Sequence, residues 1–273
     1  MSVNRKIKRM FIVVFSFIFL LILILLVGYV KFNNTIKKEK TILFSSSSSA
    51  VNVTPADIKH LPELIKNYLV KTNILGSCKN CSITLKQKGK IRSAPEKKWM
   101  PFTAVQHMSW NHPGFIWKAK LFPVLVRDKY LNGRGEVKVN FSGIKNIEVS
   151  KGSTIDSGAL LRYFGELAYY PQGFLDNRIT WEEINSNTVK GTLMLKDITV
   201  SGTFYFNEEG WIYKFEARRY FGDSLQNFTG LVDNYREFNG IMIPSGMTAV
   251  WNLNEGDFEY FKATVTDYVV HIN

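Results

Sequence analysis

The chain has 273 residues, 45% hydrophobic and 14% aromatic, and carries a formal net charge of +12. That aromatic content excludes a disordered tail, and about 220 residues outside the N-terminal apolar segment and a polar stretch suffice for one large domain or two small ones. The charge is uneven, with +7 on residues 1–40, +10 on 41–130 and −5 on 131–273, which favours an anionic lipid or envelope polymer as partner but is equally served by solubility and stop-transfer needs.

No helix-turn-helix, zinc-finger or RNA-recognition pattern accompanies the charge, so nucleic acid is not expected as a partner. Residues 1–9 form a basic leader with Arg5, Lys6, Lys8 and Arg9. Residues 10–30 contain no charged side chain, and as a helix they reach roughly 32 Å, enough to cross a bilayer's hydrocarbon core. The run is too long for an ordinary signal peptide and no small-residue cleavage site follows closely, so an uncleaved, single-pass signal anchor is expected. Lys31, Lys37, Lys38 and Lys40 after the span nearly balance the leader. The short basic leader favours the N-terminus inside and the domain outside the cytoplasm. Residues 31–53 read as a flexible linker because of the serine run at 45–49, with cleavage near Ala50 as the alternative.

The domain is expected over residues 54–273. Pro62 opens a short amphipathic helix whose stripe is Leu61, Leu64, Ile65, Tyr68 and Leu69, and Gly76 stops it. In the strand 82–93, Ile83, Leu85, Gln87, Gly89 and Ile91 share one face, and Thr84, Lys86, Lys88, Lys90 and Arg92 the other. The cationic face suits either a lysine-protected sheet edge or contact with an anionic surface. Strands follow at 103–110, 114–121, 124–131 and 135–141. A second helix, capped by Thr154 or Asp156, carries Leu160, Leu161, Phe164, Leu167 and Ala168 on one face and ends at Pro171. A meander of strands at 179–184, 188–195, 198–207, 211–219, 227–235, 246–253 and 258–270 completes the chain. One-sided sheets of this length must curl or be covered. With only two helices available, the expected fold is α+β: a strongly curved antiparallel sheet, an unclosed barrel, with a helical lid.

Several groups could carry chemistry. Cys78 and Cys81 lie between a helix end and a strand, outside the context of a redox helix, so a small loop disulfide is favoured over two inert thiols. Zinc lacks two further ligands, and no metal or cofactor is expected. His107, Ser109 and His112 read as polar residues of a strand and turn. Arg127-Asp128 and Arg162 with Glu166 are the most suggestive polar group. They fit an ion-pair network fastening lid to sheet, a bidentate site in which Arg127 and Arg162 hold an anionic head, or a carboxylate pair, Asp128 and Glu166, for hydrolysis of an envelope glycan or lipid. Val137, Val139, Phe141, Ile198, Val200, Phe204 and Phe206 are the candidates for the concave apolar face, as packed core or pocket lining.

The segments VRDKYLNGRGEV (126–137), LLRYFGELAYYP (160–171), FYFNEEGWIYKFEARRY (204–220) and DNYREFNGIMIPSGMTAVW (233–251) together resemble a bacterial family of uncharacterised proteins, commonly with an N-terminal membrane span, over about residues 60–270. That family supplies no activity to transfer. A looser rhythm, Gly210-Trp-Ile212 followed by Tyr235-Arg236, Gly240 and Pro244, is similar to the envelope lipoprotein carriers and sorting proteins, a resemblance that implies an unclosed barrel with a helical lid over a hydrophobic cavity. The expected function is a membrane-tethered, non-enzymatic extracytoplasmic domain that binds a lipid or other apolar envelope molecule. The alternatives are the hydrolase and an interaction module with a filled interior.

Overall fold

The computed structural model describes residues 2–45, 50–110 and 112–272. Helix α1 (Ser2–Phe44) is continuous through the apolar run and well beyond it. The expected linker is therefore helical from residue 31 to 44, and the core of its serine run, 46–49, lies outside the described residues. The extension has a physical cause: Ile36 and Leu43 are buried against Ile116 and Leu131, and Glu39 binds Arg127 and Lys129. Tertiary packing overrides a polar local composition. Two short helices, α2 (Pro55–Ile58) and α3 (Glu63–Lys71), lead into the sheet.

The strands are β1 (Ser82–Ile91), β2 (Met100–Ser109), β3 (Gly114–Leu121), β4 (Val124–Leu131), β5 (Arg134–Phe141) and β6 (Lys145–Ser150). After α4 (Ser153–Gly165) and two 3-10 turns, Glu166–Tyr169 and Pro171–Leu175, come β7 (Ile179–Asn185), β8 (Thr188–Leu195), β9 (Ile198–Phe206), β10 (Ile212–Phe221), β11 (Ser224–Phe238), β12 (Ile241–Leu253) and β13 (Gly256–His271). All join one 13-stranded sheet in the order β6-β5-β4-β3-β2-β1-β13-β12-β11-β10-β9-β8-β7. Every pairing is antiparallel. The fold is the curved, unclosed antiparallel sheet with a helical lid that the patterning implies.

The first and last strands of the domain close the middle of the sheet through the β1–β13 pair. Strand β1 is thus central, and the lysines at 86, 88 and 90 do not guard an edge. The true edges are β6 and β7. Strand β6 was not anticipated, because all but its last residue are exposed and no one-sided pattern marks it.

The concave face holds α4, α3 and the 3-10 turns. Leu160, Phe164 and Leu167 are fully buried there. Phe164 meets Phe204 edge-on at 5.3 Å, Phe174 stacks on Trp181 at 5.6 Å, and Phe204 lies 4.8 Å from Phe215, each such pair adding about 0.5–1.5 kcal/mol beyond burial. Tyr68 of α3 packs against Phe174 and Phe206.

Asp156 does not cap α4. Gly152 occupies that position, and Asp156, in the first turn and buried, accepts the Gly135 backbone N–H at 2.6 Å and an Arg134 contact at 2.9 Å. Gly135 is required by proximity, since a Cβ there would stand 2.5 Å from the Ile155 carbonyl oxygen. The carboxylate thereby fastens the lid to the β4–β5 turn. Asp156→Ala strands a buried N–H and should cost about 1–3 kcal/mol, read as a lower urea midpoint with an unchanged m-value.

Candidate functional site

Lid and sheet do not meet everywhere. A cavity of about 270 Å³ remains between Leu161 and Gly165 of α4 and a wall that includes Trp117, Val126, Val137, Phe215, Met247 and Trp251. Its side is closed by Asp128, Arg162 and Glu166, and Arg219 and Tyr260 also reach it.

The charged wall is a saturated network. Arg162 donates from Nη1 to Asp128 at 2.6 Å, from Nε to Glu166 at 2.8 Å and from Nη2 to Gln106 at 3.1 Å. Gln106 in turn donates to the second oxygen of Glu166 at 2.6 Å. The guanidinium also faces Phe115 and Trp117 at 4.6 and 5.2 Å, and Trp117 donates to Gln87 at 2.9 Å. Burial works against the Arg162 charge, but Glu166 and Asp128 outweigh it and raise its pKa. Both carboxylates of the expected hydrolytic pair grip the same guanidinium.

Arg127 is not part of this group. Adjacent strand residues point to opposite faces, and Arg127 lies on the convex side, 3% exposed, bonded to Glu39 of α1 at 2.8 Å and to Glu136. Burial pulls its pKa down against the opposing charge of Glu39. The two arginines expected to share an anionic head are therefore separated by the sheet.

Of the apolar candidates, Val137 lines the cavity. Val200, Phe204 and Phe206 are buried in the packed core and Ile198 is half-buried against it. Val139 is half-buried, and Phe141 is 43% exposed at a strand end. Cys78 and Cys81 are both buried free thiols rather than a disulfide. The Cys81 thiol points at the Cys78 carbonyl at 3.0 Å, and burial raises its pKa, which disfavours the thiolate. His107, Ser109 and His112 have separate partners: Thr84, Ser82 and Ser45. In the cationic stripe, Lys86 pairs with Asp267 at 2.8 Å, and Lys90 and Arg92 lie against Trp99.

Arg219 escaped the sequence reading. It lies 5.3 Å from the ring centre of Phe228 and 5.5 Å from that of Trp251, with its Nη1 at 3.5 Å from the Tyr260 hydroxyl, and it makes no ion pair among the described residues. The signal was present, because Phe215, Ala217 and Arg219 alternate toward one face of β10.

A family model describing a family of unknown function, DUF6544, matches residues 51–263, and the chain belongs to that family. No curated protein matches it. Among solved structures, the chain is similar to a LolA superfamily protein from Nitrosomonas europaea, at 13% identity and a TM-score of 0.45, covering 75% of this chain and 90% of that one. Residues 7–44 form a helix long and apolar enough to cross a membrane, compatible with a single-pass anchor or a signal sequence.

Arg162→Met should cost about 3–5 kcal/mol by leaving buried Glu166 and half-buried Asp128 without their cation; adding Asp128→Asn and Glu166→Gln should restore much of it, as measured by urea unfolding. A second expectation concerns pH. Burial, reinforced by Lys40, His271 and Lys118, pushes His107 down to about 3. A depressed histidine contributes stability fully above its unfolded pKa, near 6.5, and loses it as pH falls toward 3. Between pH 7 and 5 the protein should lose roughly 1–2 kcal/mol that His107→Gln does not lose.

Proposed function

We propose that this protein is a membrane-tethered domain that binds a lipid or another apolar molecule in the cavity beneath α4, without catalysing a reaction on it. The observation that carries this reading is a largely apolar cavity roofed by a helix. Protein interiors are normally filled to crystal-like density, and a pure interaction module has no use for such a space. The cavity lies near the lower end of ordinary small-ligand sites, so it suits an acyl chain or similar slender group rather than a whole phospholipid.

The polar end of the ligand falls to Arg219. Arg162 is already neutralised by two carboxylates, whereas Arg219 presents its charge to the cavity with only aromatic faces and a phenol around it. Its guanidinium passes beside Gly158 of the lid, where a Cβ would stand 3.5 Å from Nε. The helix α1 supplies the tether, its uncharged run, residues 10–30, being the part that crosses the bilayer.

Native mass spectrometry of the full chain, extracted gently from its own membrane, is expected to show a bound lipid-sized mass; a clean apo mass would sink the proposal. Met247→Trp, which fills the cavity, should abolish uptake of fluorescent fatty acid by the delipidated protein. Arg219→Gln should weaken an anionic ligand about tenfold or more, the worth of a charge-assisted contact, and leave an uncharged analogue unaffected.

A further inference from the structure

We infer that the tip of the β3–β4 hairpin, led by Phe122, inserts into the same bilayer that α1 crosses, so that the rim of the sheet is seated on the membrane. The inference rests on the reading of α1 as a membrane span and adds a second, independent membrane contact to it.

The geometry follows from how α1 lies on the sheet. Lys118 of β3 bonds Asn33, and the Lys120 ammonium lies 5.1 Å from the ring centre of Tyr29. Glu39 pairs with Arg127 and Lys129 of β4, and Ser45 meets His112 in the β2–β3 turn. Helix and strand β3 therefore run antiparallel. Their spacings agree, since two strand residues advance ~6.7 Å and four helix residues ~6 Å. Phe122, two residues beyond Lys120, is then level with about residue 25 of α1, inside the uncharged run.

The neighbouring turn gives the same depth by direct contact. Gly143, between β5 and β6, touches the helix at Gly28, where a Cβ on Gly143 would stand 2.3 Å from the Gly28 carbonyl carbon. Two glycines allow backbone to meet backbone there. The turns are tied together by the Ser142 N–H, which donates to the Pro123 carbonyl at 2.9 Å.

The chemistry of these tips suits a lipid interface. Phe122 is 96% exposed and Ile144 is 47% exposed. The ammonium groups of Lys118 and Lys120 lie 5.6 and 5.1 Å from the ring centre of Tyr29, the aromatic-and-cation arrangement typical of the headgroup level. An apolar tip about 5–10 Å deep, with cations above it, is the pattern of interfacial insertion. Antiparallel order also places the β1–β2, β10–β11 and β12–β13 turns at this end of the sheet. Ile91 and Trp251, which line the cavity, lie near those turns. Seating the rim would thus bring the cavity's end against lipid instead of water.

The test uses the full chain with Phe122→Cys carrying an environment-sensitive fluorophore, reconstituted in vesicles of equal parts phosphatidylglycerol and phosphatidylcholine with nitroxide-labelled lipid. Glu208→Cys, exposed in the turn at the far end of the sheet, is the control. The expected result is blue-shifted emission and loss of most of the signal to the nitroxide at position 122, with neither at 208. Equal, water-like signals at both positions, in protein that resists alkaline carbonate extraction, would overturn the seating and leave the anchor standing. Release of the chain by carbonate would overturn the anchor and the seating with it.

Discussion

A sheet of thirteen strands presents more inward-facing apolar side chain than one short helix can cover, and the rest of the structure follows from that excess. The sheet curls until Trp181, Phe204 and Phe215 close on Phe164 of α4 and Phe174 of the following turn. Where the curvature leaves lid and wall apart, a void persists between Gly165 and Met247. Small residues widen it: Gly230 and Ala249 line the space where larger side chains would close it. The cavity is thus written into the packing by the absence of bulk at a few positions.

The two faces of the sheet use buried charge for different ends. On the concave side, Arg162 binds lid to wall and its partners are all within the domain. On the convex side, Arg127 and Lys129 bind Glu39, so the same device attaches the domain to α1. Buried pairs of this kind contribute little net stability over apolar residues of similar shape, yet breaking one partner is costly. Their effect here is to fix orientation: the lid over the strands, and the helix along them.

Much of the architecture was legible because its signals are local. The bounds of β3, β4 and β8 coincide with the alternating runs 114–121, 124–131 and 188–195. The apolar stripe Leu160, Leu161, Phe164 and Leu167 marked the lid. The failures are of another kind. The extension of α1 to Phe44 depends on Ile116 and Leu131, more than seventy residues away, and nothing in the polar stretch 31–44 encodes it. Arg127 and Arg162 were grouped by charge, although the pleat puts residues 127 and 128 on opposite faces. Asp128 faces Arg162, and Arg219 continues the Phe215, Ala217 alternation of β10 beyond the stretch that carries the strand's apolar signal.

The sheet remains open, and its two free borders have a consequence for crowding. Under the proposed tethering, copies share a plane, where collisions side by side are far more frequent than in free solution. Border strands with bare amide and carbonyl groups would then zip neighbouring molecules into ribbons. Strand β6 offers Lys145 and Glu148, and β7 offers Glu182 and Glu183, beside the exposed Ile147 and Ile184. Charges at these positions repel or hydrate an approaching border of the same kind. Acid and base on the margins of the sheet thus oppose side-by-side pairing of its borders.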